Sequence, residues 1–340
     1  MNLMIVEKPG MFSLLQDLGR TGWQRYGVPV NGPMTEWSHR VANAVLGNPE
    51  DAAVLECTLT GPVVRFTQDT LLALSGADMR VTGAGRRLPF DCAVLLRRGV
   101  ALEFGERLRG ARTYLAVRGG FASEPVLGSR STYVRGAFGG HQGRALRRND
   151  RVEVTPTARD VPTLALERRL IQSGLPWVCA QPVAPAHAPA PADRLRLIPG
   201  PQWKAFSAEA QRRLLGQPYL LSAQSDRMGY RLQGAALALR RPLEMVSEAT
   251  SFGTVQVPPD GQPIVLMADR QSAGGYPKIG YVAACDLPAL AQALPGDALR
   301  FEAIAQDAAE RLLLDREARL GRVRDAAVQA LGLPLQALHE

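Results

Sequence analysis

Short apolar or β-branched runs recur along the whole chain, each closed within a few residues by glycine, proline or aspartate. That rhythm limits the fold more than any other feature. Leu3 to Val6, Val63 to Phe66, Leu71 to Leu74, Val94 to Leu96, Tyr114 to Val117 and Ile264 to Met267 have the length and composition of strands joined by tight turns. A mainly β protein with a few helices is expected, as barrels or sandwiches, not a regular alternation of strand and long helix. One helix interrupts the rhythm early: Met34, Trp37, Val41 and Val45 fall at three-to-four spacing until Gly47-Asn48-Pro49 stops it. It is expected to lid or plug the first lobe.

A chain of 340 residues exceeds what one compact core usually needs, so two lobes are expected. A turn followed by an alternating strand recurs at Arg98 to Phe104, Asn149 to Val154 and Gly296 to Phe301, a short echo that fits duplication, with the last two as closing strands. The Pro- and Ala-rich stretch from Pro182 to Pro191 suits an extended linker. The expected division is a first lobe over 1–180, a linker over 181–193, a second lobe over 194–305 and a helical segment over 306–340. In that last segment Leu313, Leu320, Val323 and Ala327 mark the face that packs on a lobe.

Apolar residues make up 46% of the chain and charged residues 21%, which excludes a mostly disordered chain. No run reaches the length of a membrane-spanning helix, and the first ten residues lack the layout of a signal peptide. A soluble, cytoplasmic protein is the expectation. Cys57, Cys92, Cys179 and Cys285 form no C-x-x-C pair, and His39, His141, His187 and His339 are equally dispersed, so no structural metal or disulfide framework is expected. The net charge of +8 comes from arginines spread among acidic residues, with only Lys8, Lys204 and Lys278 as lysines. With no basic tract and no interleaved aromatics, nucleic acid is not an expected partner.

Several chemistries lack their local signature. No lysine follows a glycine, so a phosphate-cradling P-loop is absent, and Gly83-Ala84-Gly85-Arg86-Arg87-Leu88 lacks the third glycine of a dinucleotide fingerprint. Gly128-Ser129-Arg130-Ser131-Thr132 lacks the glycine that a nucleophile elbow needs two residues after its serine.

The strongest site candidate follows the apolar run Ile264 to Met267, where Asp269, Arg270 and Gln271 precede Gly274-Gly275-Tyr276-Pro277-Lys278. A strand ending in Asp-Arg-Gln and a double-glycine turn projects a charged, hydrogen-bonding cluster at its rim. Arg270 can fork onto a carboxylate or phosphate, Asp269 can orient it or act as a base, and Lys278 supplies a point charge. A structural ion pair bracing the turn explains the same residues. Gln224, Asp226 and Arg227 gather amide, carboxylate and guanidinium groups in one turn-like segment, and Gln256 leads another. Arg20, Arg130 and His141 are secondary candidates, for which a loop-bracing role is the stronger reading.

The motifs Gln16-Asp17-Leu18-Gly19-Arg20, Gly47 to Glu56, Val126 to Thr132, Phe138 to His141, Ile198 to Gln202, Gln224 to Gly229 and Ala268 to Lys278 resemble, in order, those of the biotin-dependent carboxyltransferase or allophanate hydrolase subunit 2 family. The resemblance runs from about Gly10 to Phe301 and departs from the pattern at Asp78 to Asp91 and in the linker. It implies two tandem cyclophilin-like β-barrel lobes. It also implies one of three functions. The first is the C subunit of an ATP-dependent 5-oxoprolinase, working with the B and A subunits to open 5-oxoproline to glutamate. The second is carboxyl transfer from biotin to urea or a similar amide. The third is regulatory binding of the kinase-inhibitor-antagonist type.

None of the three lysines sits in a Met-Lys-Met setting, so no covalent biotin is expected on this chain, and 340 residues leave no room for a biotin carboxylase or amidase domain. The 5-oxoprolinase reading therefore comes first, with ATP used by the complex at a site not located in the sequence. Under it, Arg270 and Lys278 clamp the substrate carboxylate or the transferring phosphoryl group, and Asp269 positions Arg270. Gln256 and Gln271 hydrogen-bond the lactam, Arg227 and Asp226 form the facing wall, and Gln224 and Tyr276 complete the substrate-binding set.

Overall fold

The computed structural model describes residues 1–158, 161–181, 183 and 194–331. Most of the expected linker, with His187, and the end of the chain, with His339, lie outside the described residues. The chain divides into two compact units. The first comprises Met1–Gly19, Thr35–Ala188 and Ala318–Glu340, and the second Arg20–Met34 and Pro189–Glu317, so far as these are described.

In the first unit the strands form two six-stranded sheets. One runs, in spatial order, Trp177–Cys179, Val94–Leu96, Thr70–Asp78, Arg109–Val117, Val54–Thr58 and Phe12–Gln16. Its central strands are buried almost continuously because both faces are covered. Leu72, Leu74, Leu115 and Val117 face one core, shared with Met4, Val64 and Phe66 of the second sheet. Leu71, Ala73, Tyr114 and Ala116, one residue out of phase, face a second core that helices cover. Those helices are α1 (Glu36–Ala44), α2 (Val161–Ser173) and α5 (Gln306–Leu331), the last preceded by α3 (Ala208–Gly216) and α4 (Leu287–Leu290) of the second unit.

The second unit is built on a closed seven-stranded barrel, in the order Arg194–Pro199, Lys278–Val282, Thr254–Gln256, Ile264–Leu266, Gly229–Gln233, Tyr219–Leu221 and Ala298–Ala303. Ala298–Ala303 is its closing strand, parallel to Arg194–Pro199 and antiparallel to Tyr219–Leu221. Leu195, Leu197, Val255, Val265, Ile279 and Phe301 fill the interior. The mainly β fold and the barrel agree with expectation.

Two segments depart from the contiguous division read in the sequence, and each does so because its apolar side chains find partners elsewhere. Met34 shares a helical spacing with Trp37 and Val41, yet α1 begins only after Thr35, whose hydroxyl caps it by accepting the Ser38 N–H (3.3 Å). Met34 packs in the core of the second unit, whereas Trp37, Val41 and Val45 pack in the first. At the other end, Leu320, Val323, Ala327 and Leu331 of α5 join the same helix-covered core as α1. Leu313 is only half-buried.

Among the described residues no helix is long and apolar enough to cross a membrane. All four cysteines are free thiols, with Cys57 and Cys92 buried.

Candidate functional site

Strand Thr254–Gln256 of the second unit lies between Lys278–Val282 and Ile264–Leu266, with Gln256 directly opposite Lys278. Val255 and Ile279 point into the barrel core, so alternation sends Gln256 and Lys278 to the opposite face. That face is covered. The two-residue strands Glu248–Ala249 and Ala273–Gly274 pair with each other, and beneath them Gln256 and Lys278 are 1% and 3% exposed. Lys278 Nζ donates to Glu248 Oε2 and to the Ala249 carbonyl, both at 2.8 Å. The ammonium holds the Glu248 carboxyl below its usual range. The Lys278 backbone N–H donates to Gln202 Oε1 at 3.0 Å.

Gln256 Nε2 donates to the Tyr276 carbonyl at 3.4 Å. A Cβ at Gly274 would stand 2.7 Å from Gln256 Nε2 and 3.2 Å from Gln271 Nε2, so the two amides converge only because residue 274 has no side chain. Gln256 and Lys278 therefore lie on the barrel face that the segment carrying Gln271 and Tyr276 covers.

Asp269 belongs to a different cluster. Arg227 Nε and Nη2 each donate to its carboxylate at 2.9 Å, a fork that closes a pair buried on both sides. The Asn31 side-chain amide donates to Asp269 Oδ1, Arg227 Nη2 donates to the Gly32 carbonyl at 2.6 Å, and Arg20, 1% exposed, donates to Asn31 Oδ1 at 3.3 Å. Asp269 therefore does not position Arg270. Asp269 and Arg270 lie in a turn closed by the Arg270 N–H bonding the Met267 carbonyl, and the partner of Asp269 comes from the neighbouring strand connection, where its N–H also bonds the Arg227 carbonyl.

Arg270 turns away to stack over the Phe252 ring, 5.8 Å from its centroid. Among the described residues its side chain makes one hydrogen bond, a long one from Nη1 to the Met267 carbonyl (3.4 Å), and its buried Nε has no partner. Burial, only partly offset by the nearby Asp269 charge, pushes its pKa down to about 10, which leaves it a cation at neutral pH. Arg270 is thus the candidate cation with donor capacity unspent, whereas Lys278 is neutralised.

The other candidates are placed less centrally. Asp226 is exposed and accepts the Met228 and Gly229 N–H groups (2.8 and 3.2 Å), so it shapes its own turn. Gln224 is exposed, and Tyr276 is 46% exposed. Arg20 falls in the second unit, within the Asn31 cluster. In the first unit Arg130 braces a loop, its Nε donating to the Ser123 carbonyl at 3.1 Å. His141 lies 3.6 Å from Asp150, whose carboxylate is forked by Arg144 (2.7 and 2.9 Å), and burial lowers the imidazole pKa.

Sequence reasoning missed Asn31, Glu248 and Phe252. Asn31-Gly32 is a turn dipeptide, and Asn31 does take a left-handed φ of 63°; that signal was available. Nothing local marks Glu248 or Phe252, whose partners lie in distant segments.

Residues 26–303 match the family described as carboxyltransferase domain, subdomain A and B. The chain is 37% identical over 311 residues to the C subunit of 5-oxoprolinase from Haemophilus influenzae, covering 91% of this chain and 94% of that one. It is 35% identical over 305 residues to the C subunit of 5-oxoprolinase from Escherichia coli, covering 88% and 90%. Among solved structures, the K. lactis urea amidolyase superposes with a TM-score of 0.82 at 27% identity, over 94% of this chain but only 20% of that longer one.

Proposed function

The chain belongs to the carboxyltransferase family of subdomains A and B, and from that premise we propose that it is the C subunit of an ATP-dependent 5-oxoprolinase complex. With the A and B subunits it opens 5-oxoproline to glutamate in the cytoplasm. One observation carries the choice within the family: the match extends over 94% of a free-standing C subunit, whereas it occupies 20% of the urea amidolyase chain.

The chain's own part is to hold the lactam. The amides of Gln256 and Gln271, converging at Gly274, suit the donor and acceptor of a lactam amide, and Arg270, with its Nε–H unpaired, suits the substrate carboxylate. The cluster does not fit a triphosphate, because Lys278 is already bound by Glu248 and the Ala249 carbonyl. Lys278 is therefore a positioning residue that anchors the Glu248–Ala249 and Ala273–Gly274 pair over the two glutamines, and the phosphoryl group is not assigned to it. Arg227 and Asp269 hold the segment from which Arg270 projects.

The experiment is ATP-dependent release of glutamate from 5-oxoproline, measured with the purified chain alone, with each candidate partner, and with both. Urea with carboxybiotin serves as the parallel substrate. Release only in the three-part mixture is expected; carboxyl transfer to urea without glutamate release would replace this reading with the carboxyltransferase one.

A further inference from the structure

The segment Asp78 to Asp91, where the chain departs from its family's pattern, encloses a cavity of about 220 Å³ in the first unit. It is lined by Asp91 and Arg109, with Leu88 and Phe90 as an apolar wall and Asp78 and Arg87 at its edge. Asp78 and Arg87 neutralise each other in an ion pair. Asp91 and Arg109 form no direct ion pair among the described residues, though the Arg109 charge acts on the Asp91 carboxyl. Asp91 is 7% exposed, with the Ser75 hydroxyl beside its carboxyl, and its Oδ1 has no hydrogen-bond partner among the described residues. Burial, against the pull of Ser75 and Arg109, pushes its pKa up to about 6. Arg109 is exposed, and among the described residues its guanidinium has no hydrogen bond or ion pair, Asp91 included. A carboxyl with one oxygen unpaired and a guanidinium with no direct bond among the described residues thus line the same cavity. A buried carboxylate with an unpaired oxygen is costly, and this arrangement complements a molecule that carries the opposite charges on separate atoms.

We propose that this cavity binds a zwitterionic α-amino acid with an apolar side chain, its ammonium on Asp91, its carboxylate on Arg109 and its side chain against Leu88 and Phe90. A cavity of about 220 Å³ is below the ~300 Å³ at which pockets for larger ligands begin, which excludes a nucleotide. The proposal stands apart from the 5-oxoproline reading and uses none of its residues.

The test is isothermal titration of the full chain with L-leucine, L-phenylalanine and L-proline, beside N-acetyl-L-leucine, which lacks the ammonium, and L-leucinamide, which lacks the carboxylate. At least one free amino acid is expected to bind, with both blocked forms of leucine at least ~10-fold weaker than leucine, as the loss of one charge-assisted contact requires. Asp91→Asn and Arg109→Gln are each expected to weaken binding by a similar factor. Asp91 has a φ of 52°, which asparagine tolerates, and Arg109 is exposed, so Arg109→Gln carries the test even if the first variant does not fold. Absence of binding by all three amino acids up to about 10 mM, a range that would include contacts of only a few kcal/mol, would overturn the proposal. So would blocked leucines that bind as well as leucine, or variants that bind unchanged.

Discussion

Asp17 in the first unit and Asp269 in the second are both 6% exposed, each lies near an arginine in sequence, and each is stabilised by different chemistry. Asp17 is held by neutral donors: the hydroxyls of Ser129 and Ser131 at 2.5 and 2.7 Å, the Gly19 N–H at 2.9 Å and the Arg130 N–H. Burial works to raise its pKa, and these bonds together overcome it and lower it. Asp269 is held by the Arg227 fork and the Asn31 amide. For Asp269 the fork comes from Arg227, 42 residues away, and not from Arg270, the next residue in sequence. An Asp-Arg pair read from sequence therefore gives residue types worth examining but not who pairs with whom, because register and turn geometry choose the partner.

The sharpest way to break this comparison is to remove one partner of each carboxylate. Arg227→Leu leaves a buried carboxylate without its cation and is expected to cost about 3–5 kcal/mol. The double variant Arg227→Leu with Asp269→Leu should recover most of it, as measured by urea unfolding. Ser129→Ala, which removes a single neutral donor from Asp17, should cost about 1–2 kcal/mol. Equal losses from Arg227→Leu and Ser129→Ala would mean that the two sites are built alike after all.

The first unit also buries a histidine, and its sign differs. His39 is fully buried, its imidazole bonds the Gln16 carbonyl alone among the described residues (3.2 Å), and desolvation lowers its pKa to about 4. The unfolded chain, with an imidazole pKa near 6.5, then binds more protons than the folded one between about pH 6.5 and 4, so the stability from keeping His39 neutral is lost as pH falls through that window. It amounts to about 3 kcal/mol. The stability gap between the wild type and His39→Gln should shift by that amount in the variant's favour from pH 7 to pH 4. Asp91, raised to about 6, pulls the other way in both proteins and cancels in the difference. A gap that does not move with pH would contradict a neutral buried His39.

Within the second unit, Arg270→Ala should lower kcat/KM of the assembled complex by roughly 10–100-fold, the worth of one charge-assisted contact. Arg270→Lys should give only partial rescue, since a lysine cannot fork. The smallest effect belongs to the half-exposed Glu248: Glu248→Gln should speed amide exchange in Glu248–Ala249 and Ala273–Gly274 several-fold while leaving the barrel strands unchanged. An unchanged exchange rate would remove Lys278 from its anchoring role.

Much of the fold was legible because strands announce themselves locally. Val63–Phe66 and Val94–Leu96 begin and end where their apolar runs do. Met34 misleads because a three-to-four spacing continues past a cap that only Thr35 reveals. The candidate site was legible as a list of residues and not as an arrangement. Gly274 correctly signalled close approach, but Gln256 reaches it from a strand distant in sequence. Lys278 stood out by its rarity, yet the Glu248 that neutralises it has no local signature. Pairings made across sheet neighbours are set by register, which a single sequence leaves open.

The central claim is that this chain acts as one member of a lactam-opening complex, with Arg270 and the Gln256–Gln271 pair at the substrate. Glutamate release from 5-oxoproline, followed with ATP in the presence of the A and B subunits, tests it most directly. The account predicts release in the three-part mixture, none from this chain alone, and a marked loss with Arg270→Ala. Full activity without this chain, or with Arg270→Ala in its place, would contradict it.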